Sequence, residues 1–432
     1  MLKDLYARWM YGWETRLTTR DENRVVRPLE WGFEWLQPFI EDAGLSARVE
    51  RLEAAGKGEA AMVEVNEAIL ADSDRFFGYE TPKDFRLDER HPMLFPTNVR
   101  PETLERDAQL RSLAEQGKTP KARFLRFTSP ERTPYAENDL ANARWFPADP
   151  EKQAGKPKQA MIVMPQWNAD AFSHNALCTL FNRFGISALR LSKPYHDIRR
   201  PSELERSDYA VSANIGRTLS AVRQAVMDIR CCLDWLESQG YEQFGVLGTS
   251  LGSAYGFLAS AHDRRLRVNA FNHASAAVGD VVWAGQSTRH IRQALEEAGL
   301  TQDRVRALWG GASPVNYYSK FAGHSLADPI TGDSEFAKKV LLIYAQYDLT
   351  FPLEYSLQVV KSFREHGIKF ERRVLPCGHY TTGETPFQYI DGWYLGSFVY
   401  RAFKALRESS ASVALKAADE SSSPVEEELA SR

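Results

Sequence analysis

The pattern of apolar and polar positions divides the chain near residue 118. Before it, apolar residues recur in irregular helical patches, and no run predicts a strand. From Arg123 the pattern changes to short apolar runs alternating with amphipathic stretches. Strands are predicted at Arg123–Thr128, Ala143–Phe146, Ala160–Met164, Ser187–Leu191, Phe244–Leu247, Leu266–Phe271, Val340–Ala345 and Phe370–Leu375. Helices are predicted near Phe172–Phe184, Ala213–Ser238, Leu251–His262, Leu353–His366 and Ile390–Leu406. In the second of these, Ile215, Leu219, Val222, Val226, Ile229, Leu233 and Leu236 step by three and four, and Gly240 closes the helix. Short apolar strands separated by helices imply an α/β fold with a mostly parallel sheet covered on both faces.

The alternation lapses between Ala274 and about Pro329, after one strand and before the next, where a cap over the sheet edge can arise. Beyond Ser409 the chain turns rich in Ser, Ala and Glu, the composition of a disordered tail. The expected organisation is a helical extension over 1–118, a main domain over 119–408 with a cap at about 274–329, and a tail over 409–432.

Composition narrows the partners. At a net charge of -3 over 432 residues, the chain has no excess of either sign to hold nucleic acid or an anionic membrane. No stretch reaches the ~18 apolar residues of a membrane span, and Met1–Arg20 lacks the continuous apolar centre of a signal peptide. A cytoplasmic protein is expected. Trp9, Tyr11, Trp13, Trp31 and Trp35 crowd the amino terminus. They are expected to pack a helical layer onto the main domain, although they could also meet lipid or a partner. Cys178, Cys231, Cys232 and Cys377 lack metal-ligand spacing and are expected to be free, buried thiols.

The chemistry sits after the strands. Gly248-Thr249-Ser250-Leu251-Gly252 fits G-x-S-x-G, with an apolar strand directly before it and a helical stripe of Leu251, Ala254, Tyr255 and Leu258 after it. A serine hydroxyl attacks poorly until a base takes its proton, so the pattern predicts Ser250 as nucleophile and requires an acid and a base downstream. Asp348 follows Val340–Ala345, at the carboxyl end of a buried strand; its commonplace role would be to cap the helix that Pro352 opens. His379 follows the last strand, beside Gly378, which lets the loop bend. His273 is the rival base, while His174 and His196 follow earlier strands, where they can line the pocket. The order Ser, Asp, His, each after its own strand, points to Ser250, Asp348 and His379 acting together.

Donors for an oxyanion are expected from the backbone N–H of Leu251 and of Gln166 or Trp167, in the loop Pro165-Gln166-Trp167-Asn168. Asn168, Tyr195 and His196 are candidates for substrate contact. Arg199 and Arg200 could hold an anionic group, but surface ion pairs are their expected use.

With their strands, Gly248–Gly252, Asp348 and His379 resemble the α/β-hydrolase superfamily over roughly Arg123 to Leu406. Pro194-Tyr195 with Arg199, Arg200 and Pro201 is similar to the abhydrolase domain-containing 18 group. So is Cys232-Leu233-Asp234-Trp235-Leu236 leading through Gly240-Tyr241. The chain departs from the pattern in carrying Ser253 where many relatives have a second glycine, and in lacking the common His-Gly pair after Met164. The resemblance implies a serine hydrolase acting on a small-molecule ester or related acyl bond, with no cofactor and no metal. The alternatives are a catalytically silent binding protein on the same fold, or a membrane-associated lipid acyl hydrolase or acyltransferase.

Overall fold

A computed structural model describes residues 2–324 and 337–422. Nine strands form one sheet: β1 (Arg86–Arg90), β2 (Ala122–Thr128), β3 (Leu140–Phe146), β4 (Gln159–Met164), β5 (Ile186–Leu191), β6 (Gln243–Thr249), β7 (Leu266–Asn272), β8 (Lys339–Ala345) and β9 (Glu371–Leu375). Their order across the sheet is β1-β2-β3-β5-β4-β6-β7-β8-β9. Pairing is antiparallel from β1 to β5 and parallel from β5 through β9.

The inner parallel strands β4 and β8 read as nearly unbroken apolar runs because both faces are covered, whereas the parallel edge strand β9 is charged and mostly exposed. In β4, Ala160, Ile162 and Met164 join one core while Met161 and Val163 join the other; in β8, Val340, Leu342 and Tyr344 alternate with Leu341, Ile343 and Ala345 in the same way. The first core is closed by the helices Ile215–Ser238, Leu251–His262 and Leu353–Glu365, the second by Asn175–Arg183 and the last helix, Phe387–Ser422.

Residues before 118 feed both cores. Met62, Val65 and Ile69 of the helix Gly58–Ala71 enter the first core beside Leu308 and Trp309, whereas Met10 of the helix Leu2–Thr19 enters the second. Between β7 and β8 the described residues form four short α-helices, Val278–Ala284, Arg289–Glu297, Gln302–Leu308 and Tyr318–Gly323. Asn66 joins the first layer to this segment: its Nδ2 donates to Leu308 O at 2.9 Å and its Oδ1 accepts from Gly311 N at 2.8 Å. Of the expected cap, 325–329 lies outside the described residues; of the expected tail, 409–422 continues the last helix and 423–432 lies outside them.

The amino-terminal aromatics divide. Trp13 packs its ring 6.2 Å from Phe387 and Trp35 stacks at 6.3 Å on Tyr135, while Trp9 stays exposed. All four cysteines are free and buried.

β1 corrects the expectation that no strand precedes residue 118. Its sequence, Arg86-Leu87-Asp88-Glu89-Arg90, carries no apolar alternation because it is an exposed edge strand. Backbone pairing to β2 holds it, and charges on an edge also discourage pairing with other chains.

Candidate active site

A sheet of this order, with a serine on the sharp turn after the central β6, is the α/β-hydrolase fold. The chain leaves β4 toward β5 on one side and returns to β6 on the other, so the loops after β4 and β6 meet at the switch point where such sheets place their chemistry.

Ser250 stands at φ 56°, ψ -121°, a strained conformation for any residue with a side chain. Its neighbours show why glycine flanks it. A Cβ on Gly248 would lie 2.1 Å from Gly252 O, and one on Gly252 would lie 2.1 Å from Met164 O. The turn is fixed by Ser250 N–H donating to Asn272 O at 2.8 Å. The Ser253 hydroxyl donates back to Ser250 O at 2.7 Å, so Ser253 braces the elbow.

β8 and β9 bring the other two residues together. Beyond the paired strands, Gln346 N–H donates to Leu375 O and Tyr347 N–H to Cys377 O, both at 2.9 Å, which aligns the two following loops. Asp348 Oδ1 then accepts from Thr350 N and Phe351 N at 2.7 and 2.6 Å, so this aspartate does cap its own turn. Its Oδ2 faces His379 Nδ1 at 2.8 Å, and His379 Nε2 faces Ser250 Oγ at 3.0 Å. The carboxylate selects the tautomer with the proton on Nδ1, leaving the Nε2 lone pair to accept from the serine hydroxyl.

Burial disfavours a charged His379, but the charge and hydrogen bond of Asp348, with a smaller contribution from Glu14, outweigh it and leave the imidazole pKa raised. Burial likewise opposes an ionised Asp348, yet His379 and His273 hold its pKa below the ordinary carboxylate value. The site can therefore pass a proton from serine to imidazole and stabilise the resulting cation.

His273, the rival base, sits on the acid rather than the serine. Its Nδ1 lies 3.4 Å from Asp348 Oδ2 and its ring 4.6 Å from that of His379, and burial depresses its pKa. Donor atoms of His273, Asp348 and His379 all lie within 4.8 Å of one another, with Asp348 Oδ2 shared between the two imidazoles. His174 reaches the elbow from another side, its Nε2 2.9 Å from Thr249 Oγ1.

The Leu251 N–H opens the helix after the elbow, and the Met164 and Pro165 carbonyls lie against Gly252, so the loop carrying Gln166 and Trp167 runs beside the serine. Trp167 is fixed by its indole N–H donating to Ser207 O at 2.9 Å, and its ring stacks 6.1 Å from His290. Lys193, buried, donates to Gln166 O at 3.0 Å.

The expected substrate contacts come out differently. Tyr195 and His196 are wholly buried. His196 Nδ1 lies 2.8 Å from Pro194 O and its Nε2 accepts from Asn168 N–H at 3.2 Å, so this ring braces the loop from beneath and is unavailable to a pocket. Tyr195 packs its ring edge-on to Tyr135 and Tyr209. Asn168 spends its side chain on Ser207 N, at 2.8 Å. Arg199 is in neither a pocket nor a surface pair: it is fully buried and bonds Asp228, also fully buried, at 2.7 Å. Arg200 is partly buried, its Nη1 donating to Pro96 O at 2.6 Å.

Sequence reasoning missed Glu14. It lies on the helix Leu2–Thr19, fully buried, and reaches the loop that carries His379. The signal was present in the spacing, since Met10, Glu14, Leu17 and Thr18 share one helical face and put a carboxylate where apolar residues belong.

No protein-family model and no curated protein matches the sequence. Solved structures similar in shape include an acylaminoacyl peptidase of Pyrococcus horikoshii, 14% identical over 66% of this chain, with a TM-score of 0.47. The match spans 46% of that peptidase, less than half its length. Acetyl xylan esterase 1 from Thermoanaerobacterium sp. is 13% identical, covering 76% of this chain and 93% of its own, with a TM-score of 0.48. Est1E from Butyrivibrio proteoclasticus is 13% identical over 61% of this chain and 95% of its own, with a TM-score of 0.40. Among the described residues, no helix is long and apolar enough to cross a membrane.

Proposed function

We propose that the chain is a serine hydrolase that cleaves a carboxylic ester or related acyl bond through an acyl-enzyme. One observation carries this reading: Ser250 Oγ, His379 and Asp348 form an unbroken row of contacts at 3.0 and 2.8 Å on a strained elbow. In the reaction, Ser250 Oγ attacks the acyl carbon while His379 Nε2 takes its proton. Asp348 keeps the imidazole oriented and offsets its positive charge. The tetrahedral oxyanion is held by the N–H of Leu251 and an N–H of the Gln166–Trp167 loop, a pair whose members are each typically worth about 3 kcal/mol of barrier. His379 then gives its proton to the leaving group and activates the water that releases the acyl group.

The test is labelling of the purified protein by a fluorophosphonate, with the modified peptide mapped by mass spectrometry. The label is expected on Ser250, absent in Ser250→Ala and strongly slowed in His379→Ala. A folded protein that takes no label would point instead to a silent binding protein. Parallel panels of esters of graded acyl length and of acyl-peptides would separate an esterase from a peptidase.

A further inference from the structure

The helix Leu2–Thr19 grips the loop after β9 at several points. Tyr6 Oη donates to Pro376 O at 2.5 Å, and the Thr381 hydroxyl approaches Met10 Sδ at 3.6 Å. The centre of the grip is Glu14, which is 0% exposed. Its Oε1 accepts from Tyr380 N–H at 2.8 Å and its Oε2 from Thr381 N–H at 2.9 Å. These are the two residues that follow His379. Gly378, the residue before it, leaves room for the carboxylate: a Cβ there would fall 2.3 Å from Glu14 Oε2. No Lys or Arg among the described residues forms an ion pair with Glu14. A carboxylate buried with two backbone N–H donors and no cation is costly unless the arrangement it fixes repays it.

We infer that Glu14 is a positioning residue for the proposed base: from the helix Leu2–Thr19 it fixes the 378–381 turn that aims His379 at Ser250, and it brings a second negative charge to the loop that carries the imidazole. The inference rests on the reading of His379 as base. Alongside Asp348, the ionisable groups facing Glu14 and His379 are His273 at the end of β7, and Cys377 and Tyr380 in the loop itself. Among the described residues, Asp348 and Glu14 bring the negative charge that favours the imidazolium; burial raises the pKa of Glu14, while the Tyr380 and Thr381 N–H groups and His379 favour its ionised form. The effect is one of aim and of charge, and the two separate by substitution. Glu14→Gln keeps the shape and one acceptor but removes the charge. Glu14→Asp keeps the charge but draws it back by one methylene.

The experiment measures fluorophosphonate labelling rate and p-nitrophenyl butyrate hydrolysis of the full chain between pH 5 and 9, with a thermal melt for each variant. For Glu14→Gln, kcat is expected to fall by on the order of ten-fold with KM within about two-fold, because misplacement near 1 Å is enough to cost up to 100-fold. The midpoint of its acid limb should move to lower pH, since losing the negative charge makes the imidazolium easier to deprotonate. Glu14→Asp should lose rate while keeping the wild-type midpoint. A purely structural Glu14 would lower the melting temperature and leave both the midpoint and the rate per labelled site unchanged. A folded Glu14→Gln with wild-type kcat and midpoint overturns the inference while labelling of the wild type upholds the base. Failure of the wild type to label overturns the base, and this inference with it.

Discussion

Replacing Gly252 by alanine adds one methyl group, and the geometry states where that group must go. The new Cβ would sit 2.1 Å from Met164 O and 2.7 Å from Pro165 O, both backbone atoms that cannot rotate aside. Reaching even 3.0 Å from Met164 O requires a retreat of about 0.9 Å by the loop after β4 or by the elbow itself. Either movement separates the loop N–H of Gln166 or Trp167 from the N–H of Leu251. An oxyanion donor works at 2.7–3.1 Å, so a shift of this size removes one donor, with an expected fall in kcat of about 10²–10³-fold, equivalent to about 2.7–4 kcal/mol. The assay is steady-state hydrolysis of p-nitrophenyl butyrate, normalised to sites titrated by fluorophosphonate, with circular dichroism to verify the fold. Gly256→Ala supplies the control: on the same helix, its Cβ would meet only the Val246 side chain, at 3.0 Å, and catalysis should stay close to wild type. A folded Gly252→Ala that keeps kcat within about three-fold of wild type would refute the placement of the oxyanion site in the β4 loop.

Three further outcomes are expected. In the proposed mechanism His379 acts in its neutral form, and its pKa is raised, so kcat/KM should climb with pH through a midpoint above the ordinary imidazole value of about 6.5; a midpoint below it would contradict the dominance of Asp348 over burial. Arg199→Leu should cost about 3–5 kcal/mol in urea unfolding, because it strands Asp228 without its cation, while the double variant Arg199→Leu/Asp228→Leu should recover much of the loss; equal losses would argue against the pair. Asp391 accepts from Asn272 Nδ2 at 2.9 Å, and burial pushes its pKa up to about 7 despite that bond. An acid raised in this way loses folded-state stability as pH rises from its unfolded value toward 7, so the melting-temperature advantage of Asp391→Asn should be larger at pH 8 than at pH 5, and an identical gap at both would count against it.

What the sequence revealed follows from how each residue is held. Strands buried on both faces must be apolar throughout, so β4, β6 and β8 stand out, and the turn after β6 advertises itself through two glycines that cannot be anything else. Asp348 could be located because it follows such a strand; His379 follows β9, a largely exposed and charged edge strand, and was found through the order Ser, Asp, His and the glycine beside it. β1 escaped notice because its stabilisation is backbone pairing, which any sequence can supply. Tyr195, His196 and Arg199 were expected at a pocket or at the surface because they follow β5. In the fold, that loop turns inward, and His196 is capped by Asn168 while Arg199 is buried against Asp228. Glu14 lies 366 positions from the amide it accepts, and no local pattern reports so distant a partner.

That distance has a consequence for synthesis. The helix Leu2–Thr19 leaves the ribosome well before the turn onto which Glu14 docks, because Tyr380 is made 366 residues after Glu14. At about 5–20 residues per second, the Met10–Glu14 face waits roughly 20–70 s for its partner. For part of that time the nascent chain contains the elbow serine without His379, and until residue 348 is added it lacks Asp348 as well. A polypeptide interrupted before β9 would carry an inert serine on a partly assembled sheet, with an unsatisfied helix face available to chaperones. The proposed site is therefore complete only once β9 and the turn beyond it have been made, and the helix Leu2–Thr19 can report whether that strand is in place.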